Sequence, residues 1–334
     1  MSLPLLTIVI PTYNRDVWLE NSFGIISEEL KGLDEIVEIV VSNNASIDNT
    51  ELVVKKYKNS FPFIYNYNSA NVGAIRNINK CIELSSGKYV WVLGDDDFLI
   101  KGFLRKLIEI IRENKDIPFF FINMKIWNPI KNYSFRDTID YLDSIDVTLL
   151  DTEKIDFVIY KEVKEIATFE RGYFNAISNF ILLKEDYSKA FQIGVDAGDE
   201  FTSIESTFPH SFYIAKYLMN SPCIAITNYG LICSSKVSWK KYYEITWLKW
   251  FPELIILMVE NGADRKNALN GRKFIIMNKY KEMMPKLFNG GVSNYNYFSW
   301  LQFLKNNFYL KQFWIIIYRI LKNKIKNSWS NLLC

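Results

Sequence analysis

The sequence is poor in the nitrogen and sulfur ligands that build most structural metal sites. Its 334 residues include one histidine, His210, and four cysteines, and no cysteine lies in a Cys-x-x-Cys pair or at another metal-ligand spacing. A zinc site is therefore not expected. Isolated cysteines are typical of proteins that keep their thiols reduced, so we expect a cytoplasmic protein.

Long apolar runs and a strong charge of one sign are also missing. No stretch reaches the roughly 18 uncharged residues that a membrane span needs. The first residues carry no Lys or Arg before their apolar run, which favours a first strand over a secretory signal. The net charge is only +3, so the sequence does not favour binding to nucleic acid. The glycine motifs of dinucleotide sites and of P-loops are absent as well.

Apolar residues make up 49% of the chain, enough for one sizeable core with an appended helical unit. In the first hundred residues, aliphatic runs that end at polar clusters alternate with segments of helical spacing. This alternation predicts an α/β fold with a parallel sheet and right-handed crossovers. The predicted strands are 5–10, 36–41, 63–67 and 89–93, and the predicted helices are 16–30, 50–57 and 71–84.

The pattern is less regular beyond residue 98. We expect a helix over 99–112, a strand over 119–127, a polar loop or insertion over 128–152, a helix over 207–218 and a strand near 223–229. After Trp239 the sequence is aromatic-rich and indicates helices. The organisation predicted from this change is a catalytic domain over 1–235, followed by a helical C-terminal region over 236–334.

Three consecutive aspartates, Asp95, Asp96 and Asp97, follow the fourth predicted strand. Ligands of open α/β sheets bind outside the carboxyl ends of the strands. Adjacent carboxylates repel and raise one another's pKa unless a cation compensates them. Mg²⁺ or Mn²⁺ held by one or two carboxylates and by diphosphate oxygens would do so. The alternative is that these aspartates cap the next helix.

Four segments in order, 7–15, 40–46, 71–77 and 92–97, resemble the motifs of family 2 glycosyltransferases of the GT-A fold. The resemblance covers about residues 3–125. It implies a Rossmann-like, mostly parallel sheet flanked by helices, to which the helical C-terminal region would be an extension. It also implies transfer of a sugar, with inversion, from a nucleotide-diphosphate sugar with the help of Mn²⁺ or Mg²⁺.

The resemblance also implies roles for individual residues. Asn43 stands where the family has an acid that reads the base, and Gly94 stands where many members have the first aspartate of their metal motif. The first departure leaves the identity of the base open, and the second affects which aspartates hold the metal. The implied donor site has Pro11, Thr12 and Tyr13 lining the nucleotide pocket, Arg76 near the base or diphosphate, Asp96 near the ribose or diphosphate, Asp97 on the metal and Asp95 as a third member.

An inverting transfer needs a base that deprotonates the acceptor hydroxyl. The family usually places an aspartate for this at the start of a helix about a hundred residues after the metal motif, and the equivalent position here is His210. A helix N-terminus would keep its imidazole neutral and basic. Glu205 and Asp199 are the competing candidates, and His210 as a surface or capping residue is the alternative interpretation.

The basic, aromatic segment 234–241 follows the last predicted strand. One interpretation is a lid that brings Lys236 or Lys240 to the leaving diphosphate. The other is a solvated basic turn.

The tail over 309–329 combines apolar and basic residues. After Glu282 there are seven basic residues and no acidic one, whereas the first 282 residues carry a net charge of −4. This pattern suits a helix in an anionic membrane interface. The alternatives are packing on the body and an oligomer contact. The apolar residues at spacings of three and four are Phe313, Ile316, Ile317, Ile320 and Leu321.

Together these features predict a glycosyltransferase, and the resemblance implies that it is bacterial and serves surface polysaccharide biosynthesis. Its predicted acceptor is a saccharide, in the leading interpretation lipid-linked, and its predicted location is cytoplasmic or peripheral on the inner face of the cell membrane. One alternative is a scaffold that binds a nucleotide sugar without turnover. A less favoured one is a metal-dependent nucleotidyltransferase, because residues 94–96 also spell the metal motif of some polymerases.

Overall fold

The computed structural model describes residues 3–127, 156–167, 174, 176–234, 240–288 and 298–332. These parts of the chain form one sheet of nine strands with helices on both faces. The strands are β1 (Leu6–Thr12), β2 (Val37–Asn43), β3 (Ile64–Tyr67), β4 (Tyr89–Val92), β5 (Asp97–Leu99), β6 (Phe119–Trp127), β7 (Phe157–Tyr160), β8 (Phe180–Leu183) and β9 (Cys223–Ser234).

The helices are numbered in chain order. Three of them continue as π-helical turns: Ile214–Leu218 after α6, Thr246–Trp250 after α7 and Ile276–Tyr280 after α9. The helices are α1 (Asp16–Glu29), α2 (Thr50–Tyr57), α3 (Ala74–Leu84), α4 (Phe103–Glu113), α5 (Lys184–Asp196), α6 (Pro209–Tyr213), α7 (Tyr243–Ile245), α8 (Phe251–Glu260), α9 (Arg265–Ile275), α10 (Lys281–Phe288), α11 (Trp300–Asn307) and α12 (Lys311–Leu332).

One half of the sheet is parallel, as the sequence predicts. Strands β3, β2, β1 and β4 lie side by side in that order and all pair in parallel. Their aliphatic residues are buried on both faces, for example Ile8, Val9 and Val40, which are all 0% exposed. The carboxyl ends of these four strands therefore meet at one edge, and this edge carries the polar loops.

The other half of the sheet is mixed. Strand β8 pairs antiparallel with both β4 and β6, while β9 runs parallel to β6 and antiparallel to β5 and β7. The expectation of a helix beginning at Leu99 was wrong, because Asp97–Leu99 forms β5 and α4 begins at Phe103. The predicted loop over 128–152 lies outside the described residues.

The C-terminal helices share a hydrophobic core with one face of the sheet. Phe251, Ile276 and Ile316 belong to the same buried cluster as Val9 of β1 and Tyr187 of α5. This confirms the predicted helical, aromatic-rich region, which packs directly on the sheet domain. The predicted boundary at 235–236 falls outside the described residues, so the division into two domains stays a prediction.

The helix predicted to lie on a membrane packs its apolar stripe on the body. Phe313 and Ile316 of α12 are 0% exposed and Ile320 is 7% exposed, whereas Leu321 is 54% exposed. The stripe predicted to contact lipid is therefore mostly buried in the core, in agreement with the alternative interpretation of the tail. Of the helices in the described ranges, none is long and apolar enough to span a membrane.

Candidate active site

The acid loop, residues Asp95, Asp96 and Asp97, lies just beyond β4 at the edge where the parallel strands end. Thr12, the last residue of β1, donates a hydrogen bond of 2.7 Å from Oγ1 to Oδ2 of Asp95. Arg15 Nη1 lies 2.8 Å from Oδ1 of Asp95 and 2.8 Å from Oδ2 of Asp96. A single guanidinium thus compensates two carboxylates, because β1 and β4 are neighbours in the sheet.

The third carboxylate of the acid loop, Asp97, has different partners. Its Oδ2 accepts hydrogen bonds from the Ser178 hydroxyl and from the backbone N–H of Gly94, the latter at 3.3 Å. The Cys233 thiol also hydrogen-bonds to this carboxylate. Ser178 precedes β8 and Cys233 lies in β9, so Asp97 joins the acid loop to the mixed half of the sheet.

Gly94 leaves room for two carboxylates of the acid loop to converge. A Cβ atom on Gly94 would lie 2.8 Å from Oδ2 of Asp97 and 3.1 Å from Oδ1 of Asp96. Any side chain at this position would push the two carboxylates away. In this structure an aspartate at position 94, where many family members have one, would therefore clash with Asp96 and Asp97.

Burial and mutual repulsion raise the pKa values of the three carboxyl groups of the acid loop. Burial raises the pKa of Asp95 and of Asp96 to about 6, although Arg15 lowers both values. Burial also raises the pKa of Asp97, although hydrogen bonds from Ser178 and Cys233 lower it. For Arg15, burial lowers the pKa, but the two aspartates outweigh it and the net shift is upward.

The carboxylates of the acid loop are the type of ligand that a divalent cation prefers. In the part of the chain that the structure describes, no group of three or more His, Cys, Asp or Glu side chains is arranged to hold a metal ion. However, Mg²⁺ in nucleotide sites commonly takes one or two carboxylates and completes its shell with water and phosphate oxygens. The convergence of Asp96 and Asp97 over Gly94 and their raised pKa values fit that arrangement.

A network of amides forms the neighbouring wall of the site. Asn77 of α3 is its centre: Oδ1 accepts from Ser42 Oγ at 2.7 Å and from Asn68 Nδ2 at 2.9 Å, while Nδ2 donates to the Ser42 carbonyl at 3.0 Å. Asn68 also donates to Asn44 Oδ1 at 3.1 Å, and Asn66 donates to Ser42 Oγ at 2.9 Å. We call these five residues the amide network. It fixes the loops after β2 and β3 to the start of α3.

Asn43, predicted to contact the base, is 0% exposed. Its Oδ1 accepts from the backbone N–H of Ser46 at 2.9 Å, and its Nδ2 donates to the Tyr65 hydroxyl at 3.1 Å. Tyr65 in turn donates to Glu51. In this arrangement both ends of the Asn43 amide shape the loop after β2, and a contact with the base would require them to exchange partners.

The exposed residues of this edge flank the acid loop and the amide network. Tyr13 is 41% exposed, and Arg76 is exposed on the first turn of α3. Thr12 is buried, and Pro11 is half-buried. Of the predicted donor contacts, Tyr13 and Arg76 are thus the side chains that solvent, and hence a nucleotide, reaches most readily.

Glu200 also lies at this edge. Its Oε1 accepts from the backbone N–H of Ile75 at 2.8 Å and would lie 2.7 Å from a Cβ on Gly73, whose φ is 89°. The carboxylate therefore covers the N-terminus of α3, where it interacts favourably with the helix dipole. Asp199, one of the three candidate bases, is its exposed neighbour.

The other two candidate bases are placed differently. His210 lies in the short helix α6, is 4% exposed, and packs with its ring centroid 5.6 Å from that of Phe180. Glu205 is half-buried and contributes to a raised pKa of Glu253, for which burial is the larger cause. The described contacts do not bring these candidates together. Lys236 lies outside the described residues.

Three residues of the site were missed from sequence. Arg15 lies inside the first family-like segment, but its pairing with the acid loop spans 80 residues. Ser178 lies in a single turn of 3-10 helix and Glu200 in a turn, and only the packing of the sheet and of α3 brings them to the edge. A basic residue next to a strand end that faces three acids is the one signal that could have pointed to Arg15.

Comparison with known sequences identifies a family over the sheet region. The family described as Glycosyl transferase family 2 matches residues 7–181. The abequosyltransferase RfbV of Salmonella typhimurium is 40% identical over 116 residues, which are 34% of this chain and 34% of that protein. A Campylobacter jejuni protein, the GalNAc(5)-diNAcBac-PP-undecaprenol beta-1,3-glucosyltransferase, is 33% identical over 114 residues, or 33% of this chain and 36% of that protein. The matches thus span about a third of each relative.

Solved structures resemble the fold over most of the chain. Staphylococcus aureus TarS residues 1–349 in complex with UDP has a TM-score of 0.56 at 13% identity, covering 90% of this chain and 79% of that one. The complex of the same protein with UDP-GlcNAc has a TM-score of 0.52 at 14% identity and the same coverage. At such low identity the likeness concerns the fold, and it confirms the fold class expected from the sequence.

Proposed function

Because the chain belongs to glycosyl transferase family 2, we propose that it transfers a sugar from a nucleotide-diphosphate sugar to a saccharide acceptor, with inversion at the anomeric carbon. The observation that carries this proposal is the acid loop. One buried and two half-buried carboxylates with raised pKa values lie at the carboxyl edge of a parallel sheet, an edge where Tyr13 and Arg76 are exposed.

A uridine nucleotide is the first donor to test, because the TarS structures hold UDP and UDP-GlcNAc. In this proposal Tyr13 packs on the base and Arg76 donates to the diphosphate, for which a planar guanidinium is well suited. Pro11 and Thr12 support the loop that carries Tyr13, and Asn43 shapes the base pocket from beneath.

The acid loop is proposed to hold Mn²⁺ or Mg²⁺ through Asp97, with Asp96 as its neighbour. Such a cation would stabilise the negative charge that develops on the leaving diphosphate. Arg15 then has a second role: once a cation compensates the carboxylates, its guanidinium becomes available to donate to the diphosphate. Asp95 stays hydrogen-bonded to Thr12 and keeps the loop in place.

The acceptor is proposed to be a lipid-linked saccharide of bacterial surface polysaccharide biosynthesis. The name of the Campylobacter relative includes a polyprenyl diphosphate acceptor, and the Salmonella relative is named as a transferase of abequose. An acceptor of this kind would place the reaction at the inner face of the cell membrane, where we propose that the protein acts peripherally.

The general base is proposed to come from His210, Glu205 or Asp199. Asp199 is the exposed candidate and adjoins Glu200 at the start of α3, whereas His210 is buried. A base must come within hydrogen-bond reach of the acceptor hydroxyl. Single variants of the three residues separate them, since loss of the true base lowers transfer far more than donor binding.

The proposal is tested by a thermal-shift screen of UDP-, GDP-, dTDP- and CDP-sugars with and without Mn²⁺, followed by assays of donor hydrolysis. We expect one nucleotide class to raise the melting temperature only with the cation, since binding to the folded state stabilises it. Asp96→Asn should lower hydrolysis by about a thousandfold, and the exposed Asp34→Asn should leave it unchanged. A donor that binds without release of a nucleoside diphosphate would instead indicate a scaffold.

A further inference from the structure

The last part of the described chain exposes an unusual number of large apolar side chains. Eight of them lie between residues 300 and 321, whereas the others are scattered over the remaining described residues. A contiguous exposed apolar patch is a sign of an interaction surface. We call six of these residues the C-terminal aromatic face: Leu301, Leu304, Phe308, Trp314, Tyr318 and Leu321.

The six residues form two adjoining stripes. Leu301, Leu304 and Phe308 recur at intervals of three and four along and just beyond α11, and the other three recur at intervals of four and three along α12. Such spacing places residues on one side of a helix. The Trp314 indole N–H donates to the Phe308 carbonyl at 2.6 Å, so the two stripes meet.

This surface is held rigidly by the body of the protein. The opposite side of α12 is buried, with Phe313 and Ile316 both 0% exposed. The guanidinium of Arg272, which is 7% exposed, hydrogen-bonds to the Asn306 carbonyl in the last turn of α11 and to the hydroxyl of Tyr309, which lies between α11 and α12. The C-terminal aromatic face is therefore a fixed feature, and it shares only Leu321 with the stripe that the sequence predicts.

The charge around the face has one sign. Lys305, Lys311, Arg319 and Lys322 are exposed along the same two helices. In the sequence given, no acidic residue follows Glu282. The surface thus combines Trp, Tyr, Phe and Leu side chains with basic side chains and no carboxylate of its own helices.

We propose that the C-terminal aromatic face docks on the surface of an anionic lipid bilayer. Aromatic side chains are favoured at the level of the lipid headgroups, and each nearby Lys or Arg strengthens binding to anionic lipid about fivefold. A second copy of the chain fits less well, because a twofold interface would bring the basic side chains of one copy against those of the other. The proposal deepens the proposed function, since it would hold the enzyme beside a lipid-linked acceptor.

The test is co-sedimentation of the full chain with phosphatidylcholine vesicles that contain or lack phosphatidylglycerol, in the absence of any sugar nucleotide. We expect binding only to the anionic vesicles. Replacing three face residues, Leu301→Gln, Tyr318→Gln and Leu321→Gln together, should weaken it at least about tenfold. The matched control replaces three exposed apolar residues of the body and should have no effect: Leu52→Gln, Ile159→Gln and Tyr217→Gln.

A second pair of variants separates charge from apolar contact. Arg319→Gln with Lys322→Gln should weaken binding to anionic vesicles by more than about tenfold. The exposed body lysines Lys58 and Lys115, replaced together by Gln, should not. Raised salt should weaken binding of the native protein in the same direction.

Three outcomes would overturn the proposal. These are equal binding to both kinds of vesicle, an equal loss in the face and body variants, and a face variant that changes only the sedimentation coefficient, which would indicate self-association. Hydrolysis of the sugar nucleotide in solution should be the same in all these variants. If vesicle binding behaves as expected while no variant hydrolyses any donor, the transferase proposal fails and the membrane surface stands.

Discussion

The acid loop and the amide network lie at the same edge of the sheet but satisfy their polar groups in opposite ways. The amide network is neutral, and each amide or hydroxyl group described in it pairs with another group of the network or with nearby backbone. The negative charge of the acid loop is compensated by Arg15, which forms ion pairs with two of its carboxylates. The amide network thus satisfies its polar groups with neutral hydrogen bonds, whereas the acid loop needs a positive charge beside its carboxylates.

We infer from this difference that the amide network and the acid loop have separate roles in the site. A closed network of neutral hydrogen bonds is rigid and costly to open, because every broken bond leaves a buried polar group unsatisfied. Crowded carboxylates instead favour exchange of one cation for another, since a divalent ion compensates them better than a shared guanidinium. The amide network would hold the shape of the pocket, and the acid loop would change its partners during turnover.

Removal of Arg15 should have the largest effect on the acid loop. Arg15→Gln leaves the buried Asp95 and the half-buried Asp96 without their cation, and it should destabilise the metal-free protein by about 3 kcal/mol at neutral pH. Added Mn²⁺ should restore more stability to this variant than to the native protein, because the ion no longer competes with the guanidinium. Urea unfolding with and without Mn²⁺ measures both effects. An unchanged stability would show that Arg15 does not compensate the loop, and Arg112→Gln, at an exposed position, is the control.

The amide network is tested at its centre. Asn77→Ala removes three hydrogen bonds and leaves Ser42 and Asn68 with fewer partners, so we expect a loss of about 2 kcal/mol that Mn²⁺ does not restore. Asn79→Ala on the same helix should change stability by less than about 0.5 kcal/mol. Recovery of the Asn77 variant by Mn²⁺ would contradict the distinction between the two regions.

The two regions should also differ in their response to pH. The folded-state pKa of Asp95 is raised to about 6 from an ordinary value of 3.8, so the folded state binds the proton more tightly than the unfolded state does. Its contribution to stability is therefore present at low pH and is lost as the pH rises from about 4 to about 6. Asp95→Asn should abolish this change, which we expect to be about 2 kcal/mol in urea unfolding with a chelator present. A difference between variant and native protein that does not vary with pH would contradict this, as would a similar trend in Asp34→Asn.

The smallest expected effect concerns Asn43. Tyr65→Phe removes the hydroxyl between Asn43 and Glu51 and should cost about 1 kcal/mol. If Asn43 shapes the loop as described, the preference for one nucleotide base in the thermal-shift screen should not change. A changed preference would make Asn43 a direct contact of the base, and Tyr67→Phe, at an exposed position, is the control.

The two halves of the sheet also differ in how well the sequence predicts them. The strands β1, β2, β3 and β4 were found because burial on both faces demands continuous aliphatic runs, which end where the polar loops begin. The short strand β8 and the helix α5 were not predicted. A four-residue run such as Phe180–Leu183 carries too little periodicity by itself, and its antiparallel pairing with β4 depends on residues about ninety positions away.

The sequence by itself determined the α/β class, the parallel half of the sheet and the presence of an acid loop at its edge, because these follow from local hydrophobic runs and from consecutive residues. Tertiary structure alone decided that Arg15 compensates two of the carboxylates, that Ser178 holds the third, and that the apolar stripe of α12 is buried while another side of the helix is exposed. Each of these depends on which elements become neighbours in space. A local pattern states that a face is apolar or charged, and only packing decides what meets it.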